Sequence, residues 1–377
     1  MQSLLDTTAA QAPSTRVPGG SAANVMKGLA GVSGGTLLTQ FMGMVGADEA
    51  GTFYTEQLLE RGVEPLLLES ATGAPTARCV CLVTPDGQRT MRTCLGAAAE
   101  LTSCSQLPQG WNAGPALLHC EGYLLYKPSV VREAMAAARA AGALVSLDLA
   151  SFEVVAACRD TLLGLLEAGL VDVVFANEEE AAALAGGGAA ASADGQSTLF
   201  LVEAAQSLVL QHARVCVVSL GARGAVARAA TGEAGSAAAS KVAVVDTIGA
   251  GDLFSAGFLY ALLRGSPLST CCAAGCAAGA EAVQARGTAL SGAAWRRLRA
   301  TIAGLVGDNA TGVAEGRPPP GSARALICPP GRKHRTVYGQ QGSVGHSPGL
   351  ERSRTGSLAS SMTSSSSTQW LGMEADS

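Results

Sequence analysis

A short glycine-rich turn that ends in an acidic residue is the segment with the clearest chemical meaning. It consists of Gly249, Ala250, Gly251 and Asp252, and the apolar residues 253–263 behind it predict a helix. The first turn of a helix has unpaired N–H groups and the positive end of the helix dipole, so it binds anions. A carboxylate there repels a phosphate unless it takes the proton of an attacking hydroxyl while the amides hold the transferring group.

This turn therefore predicts phosphoryl transfer to a hydroxyl, with Asp252 as the general base and the three residues before it as an anion hole. A structural alternative is an N-cap aspartate whose neighbouring glycines allow tight packing.

A second motif lies near the start of the chain, where Gly19 and Gly20 are followed by Asn24. Paired glycines let a ligand approach the backbone closely, because no Cβ is in the way. Asn24 falls on the first turn of a predicted helix, and its amide offers both a donor and an acceptor, which suits vicinal hydroxyls. The motif predicts a substrate site at Gly20 and Asn24, although a purely structural Gly-Gly turn explains the same pattern.

Two further segments follow strand-like runs and fit the same reaction. Asn177 and Glu180 open a helix at the carboxyl end of a predicted strand, where open α/β sheets bind ligands. Glu180 could hold Mg²⁺ through water, and the preference of acids for helix N-termini is the alternative. Gly221 and Gly224 could admit a nucleotide base or phosphate, or form an ordinary hairpin turn.

The elements that position these residues alternate along the chain. Short apolar runs predict buried strands at residues 116–119, 144–147, 171–175, 215–220 and 242–245. Intervening stretches predict helices at residues 129–141, 160–168 and 199–211. Such alternation predicts an α/β fold with a mostly parallel sheet and helices on both faces.

Other stretches depart from this alternation. Asp86-Gly87 between two β-rich runs predicts an antiparallel hairpin over residues 76–94, which would be a lid, an oligomer contact or decoration. Alanine- and glycine-rich residues 185–191 and 229–239 are predicted to be loops. Residues 307–377 are rich in Pro, Gly, Ser and Arg, and predict a disordered tail behind a domain of residues 1–306.

The composition narrows the class of protein. A net charge of −4 and an aromatic content of 4% disfavour nucleic acid and membrane surfaces as partners. No apolar run reaches the roughly 18 residues that cross a bilayer. Eleven cysteines without a C-x-x-C pair indicate reduced, buried thiols and a reducing compartment. We therefore expect a cytoplasmic location; an organelle is left open by the acid-poor first sixteen residues.

Together the motifs resemble those of the ribokinase (PfkB) family of carbohydrate and nucleoside kinases. The family's first signature is similar to Gly19-Gly20 with Asn24, and the second to Asp246-Thr247 followed by residues 249–252. Residues 43–51 are similar to an early strand-turn-helix unit, and Asp148, Asn177 with Glu180, and Gly221 with Gly224 follow in the family's order. The resemblance covers about residues 17–306.

The resemblance implies a ribokinase-like sheet with a small β lid, to which the hairpin at 76–94 would belong, and a homodimer formed through that lid is compatible with it. It implies Asp252 as the base, Gly20 and Asn24 for the substrate, and Asn177 and Glu180 for the Mg²⁺–phosphate region. Gly221 and Gly224 would contact ATP, and Asp246 would help to bind a monovalent cation.

The lid pattern at residues 75–78 and 95–98 leans toward the adenosine-kinase-like branch, with ribose and adenosine both open as substrates. Only eighteen residues precede Gly19, so the family's first strand and its substrate-contacting aspartate are expected to be lacking. An inactive relative that serves as a binding or assembly protein, or a truncated fragment, is the alternative to an active kinase.

Overall fold

The architecture is given by a computed structural model, which describes Thr7 and residues 15–83, 89–186 and 195–307. The described strands are β1 (Thr39–Val45), β2 (Val63–Glu69), β3 (Arg78–Val83), β4 (Arg89–Cys94), β5 (Leu117–Glu121), β6 (Leu144–Asp148), β7 (Val173–Asn177), β8 (Val215–Ser219), β9 (Ala225–Ala229) and β10 (Ala234–Ala237). The described α-helices are α1 (Ser21–Ser33), α2 (Glu49–Glu60), α3 (Pro128–Ala140), α4 (Phe152–Ala157), α5 (Arg159–Glu167), α6 (Glu178–Leu184), α7 (Gly195–Val209), α8 (Ala250–Leu263), α9 (Leu268–Ala282) and α10 (Gly292–Val306).

A six-stranded sheet in the order β10-β9-β8-β7-β6-β5 forms the centre of the fold. β5 to β8 are parallel, whereas β9 and β10 extend the sheet in antiparallel fashion. The register sets Glu121 opposite Asp148 and Asn177 opposite Ser219. Because the parallel strands end together, their last side chains collect at one edge of the sheet.

Helices cover both faces of this sheet and divide the core in two. Val174 and Val218 point toward the layer that contains α3, α5 and α6. Val173 and Val217 point the other way, toward α1, α8, α9 and α10. Successive side chains of one strand are thus both buried, which explains why these strands read as continuous apolar runs. The predicted fold class, a mainly parallel sheet between helices, is confirmed.

Two smaller sheets accompany the central one. β1 and β2 form a parallel pair, and β3 and β4 form an antiparallel pair in which Arg78 lies opposite Cys94. The hairpin predicted over residues 76–94 therefore exists, while its turn, residues 84–88, lies outside the described residues.

Two predictions made from local sequence were wrong. Residues 229–239 were predicted to be a loop, yet β10 lies among them and pairs with β9. Its small residues are poor strand formers, but Gly235 fits where a Cβ would lie 2.3 Å from the backbone nitrogen of Ser269, so contact with the start of α9 stabilises the strand. Residues 242–245 form no strand; Val244 is 63% exposed, and Val245 bonds through its N–H to Val283 at the end of α9.

Several further predictions concern segments that lie partly outside the described residues. α10 ends at Val306, next to the predicted domain boundary, and the predicted tail beyond Gly307 lies outside the described residues, as does most of the predicted loop 185–191. The ten described cysteines are all free thiols. Among the described helices, none is long and apolar enough to cross a membrane.

The packing of α8 on α9 depends on glycine at position 257. A Cβ there would lie 2.5 Å from the carbonyl oxygen of Ala274, whereas a Cβ at Gly304 on α10 would meet no atom within 4 Å. We expect Gly257→Ala to lower the free energy of unfolding by about 1–3 kcal/mol because the helices must move apart. Gly304→Ala, the matched control, should be neutral or stabilising by up to about 1 kcal/mol. Chemical denaturation measures both, and equal effects would contradict this account of the interface.

Candidate active site

Asp252 lies on the first turn of α8, the position predicted from the glycine-rich turn. Gly249 is the N-cap residue with φ 76°, and no side chain of the described residues caps the helix. The Ala250 N–H donates to the Thr247 carbonyl at 3.3 Å. Of the predicted anion hole, Gly251 lines the cavity described below, where a ligand could accept its amide hydrogen bond. Position 249 also requires glycine for space, because a Cβ would lie 2.2 Å from the Thr288 methyl group. The local arrangement suits an anion beside a carboxylate.

Asn24 holds the Asp252 carboxylate in place. Its amide nitrogen donates to Asp252 Oδ2 at 2.7 Å, and its amide oxygen accepts a hydrogen bond from the Thr288 hydroxyl at 3.2 Å. Gly20 is the N-cap residue of α1 with φ 93°, and its carbonyl accepts the Asn24 backbone N–H. Asn24 is buried, so both ends of its amide need these partners.

The pKa of Asp252 is raised to about 6, chiefly because burial disfavours its charged form. The hydrogen bond from Asn24 and the positive charge of Lys27 act in the opposite direction, and the nearby Asp148 carboxylate adds to the rise. A carboxylate with a pKa near 6 is still ionised at neutral pH and is a stronger base than an ordinary aspartate. This is the tuning expected of a general base.

Three more carboxyl groups surround the same space. Asp148, at the end of β6, accepts hydrogen bonds from the Ala150 N–H and the Ser255 hydroxyl. Burial raises the pKa of Asp148, and burial together with the Asp148 charge raises that of Glu180 to about 8. Burial and the neighbouring carboxylates raise the pKa of Glu121 well above its usual range. The edge of the sheet thus gathers four acids that repel one another.

A cavity of about 160 Å³ lies between these acids and the start of α8. Its lining residues are Ser21, Glu121, Asp148, Ala150, Phe175, Ala176, Asn177, Glu180, Ser219, Gly251, Asp252, Phe254 and Ser255. No lysine or arginine is among these described residues. An anionic ligand that entered here would therefore need a cation to offset the carboxylates.

Asn177 and Glu180 are joined in a capping box at the start of α6. The Asn177 side chain accepts the Glu180 N–H at 2.9 Å, and Glu180 accepts the Asn177 N–H at 2.8 Å. The alternative considered for these residues, that acids favour a helix N-terminus, fits Glu180 on the first turn of α6, but the capping box itself was not predicted. Both side chains also line the cavity, so capping fixes groups that face a ligand.

The other residues singled out from the sequence lie apart from the cavity lining. Gly221 and Gly224 form the tight turn between β8 and β9, where the Leu220 N–H donates to the Gly224 carbonyl. Asp246 accepts hydrogen bonds from the N–H groups of Ile248 and Gly287 at 2.9 and 2.8 Å. Asp246 therefore ties the glycine-rich turn to the segment that carries Thr288.

Sequence reasoning assigned no role to Glu121, Asp148, Ser255 or Thr288. Glu121 and Asp148 carried a usable signal, because each ends a strand of the parallel sheet as Asn177 does. Thr288 carried none, since it is 264 residues from its partner Asn24. Behind Glu121, the buried His119 bonds to Ser146 and to Glu121, and burial lowers the pKa of His119 to about 4. Because burial lowers the pKa of His119 and raises that of Glu121, the contact between them is a hydrogen bond between neutral groups rather than an ion pair.

Comparison with known proteins places this geometry in a family. The sequence profile described as pfkB family carbohydrate kinase matches residues 4–295. The 5-dehydro-2-deoxygluconokinase of Shouchella clausii is 26% identical over 258 residues, which cover 67% of this chain and 76% of that protein.

Two solved structures are similar over most of their length. The adenosine kinase from Sinorhizobium meliloti is 30% identical, with a TM-score of 0.69, over 79% of this chain and 88% of that one. A probable sugar kinase from Rhizobium etli is 30% identical, with a TM-score of 0.70, over 81% and 88% of the two chains. Because the profile spans well over half of the sequence, this chain belongs to the pfkB carbohydrate kinase family and is a PfkB-type kinase.

Proposed function

We propose that this protein transfers the γ-phosphoryl group of ATP to a hydroxymethyl group of a sugar or nucleoside, with Asp252 as the general base. The observation that carries the proposal is the Asp252 carboxylate, which has a raised pKa and lies at an uncapped helix N-terminus. The carboxylate accepts the proton of the substrate hydroxyl while the glycine-rich turn, chiefly through the Gly251 amide, stabilises charge on the phosphoryl group.

The substrate would lie beside Gly20 and Asn24. One N–H of the Asn24 amide is used by Asp252, and an amide has a second N–H that can donate to a substrate hydroxyl. The relatives' names include an adenosine kinase and two carbohydrate kinases, so both substrate classes belong to the proposal.

The acidic cavity fits the use of Mg²⁺. The Asp148 carboxylate is near enough to raise the pKa of Glu180, which favours a divalent cation between or beside them. Among the described residues no group of three His, Cys, Asp or Glu has the arrangement of a complete metal site. Waters and phosphate oxygens would then supply most ligands, as Mg²⁺ prefers, and the ion would neutralise charge on the phosphates.

We also propose roles for Asn177, Gly221, Gly224 and Asp246. Asn177 and Glu180 would contact the Mg²⁺–phosphate region, and the turn at Gly221 and Gly224 would contact the nucleotide. Asp246 would lie next to a monovalent cation.

A phosphate-transfer screen tests the proposed activity. Radiolabelled ATP and Mg²⁺ would be offered with ribose, fructose, adenosine, inosine, guanosine, uridine and 5-dehydro-2-deoxygluconate. Transfer to at least one acceptor, lost in Asp252→Asn, is the expected result. Absence of transfer to every acceptor would favour a binding or assembly role.

Replacing the proposed base should remove most of the rate. We expect Asp252→Asn to lower kcat by a factor of about 10² or more, because general-base catalysis contributes at least that much. The fold should be retained, since the new amide is nearly isosteric, and thermal unfolding checks this. A variant that turns over at the wild-type rate would exclude Asp252 as the base.

The pH dependence should report the ionisation of Asp252. The base works only when deprotonated, so kcat/KM should fall as the pH drops through about 6. Asn24→Ala removes a hydrogen bond that lowers this pKa, so the acid limb should move to higher pH. Asn24→Ala should also lower the affinity for the substrate more than the affinity for ATP. An unmoved acid limb in Asn24→Ala would show that Asn24 does not act on the base.

Thr288 should contribute through Asn24 rather than by contact with the substrate. Thr288→Val removes the hydroxyl that bonds to Asn24 and keeps a methyl group against Gly249. We expect kcat to fall by between about two- and tenfold, the effect of one hydrogen bond. Thr288→Ser, which keeps the hydroxyl, is the control and should retain most of the rate. Similar losses in both variants would indicate a packing role.

A further inference from the structure

A second, larger cavity lies away from the carboxylates, between α1, the turn from α2 to β2, and α10. Its volume is about 570 Å³, within the range of roughly 300–1,000 Å³ typical of small-molecule sites. The charged and aromatic side chains in its lining are those of Lys27, Glu60, Arg61, Trp295 and Arg299.

The charge around this cavity is unbalanced. Lys27 and Arg299 donate to the backbone carbonyls of Pro18 and Gly31, each at 3.0 Å. Within the part of the chain that the structure describes, no carboxylate lies at ion-pair distance from Lys27, Arg61 or Arg299. Glu60 is exposed and accepts a hydrogen bond from Gln57. Three cations therefore face one acid that has a partner elsewhere.

Lys27 is the unusual member of this group because it is only 6% exposed. Burial and the charge of Arg61 lower the pKa of Lys27 to about 8, while the Asp252 carboxylate acts in the opposite direction. A buried ammonium group beside a second cation is costly unless a negative charge joins them. The Asp252 carboxylate, outside the cavity lining, supplies part of that charge to Lys27. Within the described residues no carboxylate forms an ion pair with Arg61 or Arg299, so the cavity favours an anion over a cation.

We propose that this cavity binds a small phosphate-bearing metabolite, with Lys27, Arg61 and Arg299 around the phosphate. The cavity has room for a sugar or ring attached to that phosphate, and Trp295 supplies an apolar wall. The tight contact of Gly31 with the Trp295 ring, where a Cβ would lie 2.5 Å away, fixes that wall. The proposal does not depend on phosphoryl transfer, since it concerns binding at a different cavity.

The test is a binding titration of the full chain with inorganic phosphate and with ribose 5-phosphate. Calorimetry and tryptophan fluorescence detect the binding. Saturable binding of at least one probe is expected, with a fluorescence change that is lost in Trp295→Phe. Arg61→Gln should raise the Kd by about tenfold or more, because a charge-assisted hydrogen bond is lost. Arg296→Gln, an exposed arginine on the same helix outside the lining, is the matched control and should leave the Kd unchanged.

Two results would overturn the proposal. One is the absence of saturable binding of either probe. The other is binding that Arg61→Gln leaves unchanged. That result would place the anion at another site, such as the start of α8. Lys27→Met serves as a second variant if Arg61→Gln alters the fold, and circular dichroism checks both. Since no turnover is measured, an inactive enzyme would leave the result interpretable.

Discussion

The hydrogen bond from Asn24 to Asp252 joins the first helix of the described fold to the helix that begins at the proposed anion site. It forms only because α1 and α8 pack closely: a Cβ at Gly28 would lie 2.5 Å from the Ala256 methyl group. A larger residue at position 28 would separate the helices and lengthen the bond. The rest of the site follows from this contact, because Thr288 orients the other end of the same amide.

Charge at the edge of the sheet sets function against stability. Four acids whose side chains leave water lose hydration energy, and their mutual repulsion adds to that loss. A protein selected for stability alone would place apolar or amide side chains there. The arrangement makes sense when a cation and a phosphate-bearing substrate arrive together, because each then compensates the charge of the other.

The sequence could reveal what is encoded locally. The turn at residues 249–252, the helix start at Asn177 and Glu180, and the strands buried on both faces depend on neighbours in the chain, and all were predicted. β10 was missed because its weak strand residues are held by α9, and residues 242–245 were misread because apolar content alone does not supply a partner strand. The Asn24–Thr288 bond and the basic cavity depend on distant segments that meet only after folding.

The cysteines divide the molecule into two chemically different regions. Cys271, Cys272 and Cys276 on α9 are buried, and burial raises the pKa of each thiol, to about 12 for the first two. Cys79 and Cys81 on β3 are exposed. Since thiolates are the species that react with alkylating agents, β3 can be labelled on the native protein, whereas α9 reacts only when its layer opens. The rate at which the α9 thiols are alkylated, measured by mass spectrometry, would therefore report how often this helical layer opens locally.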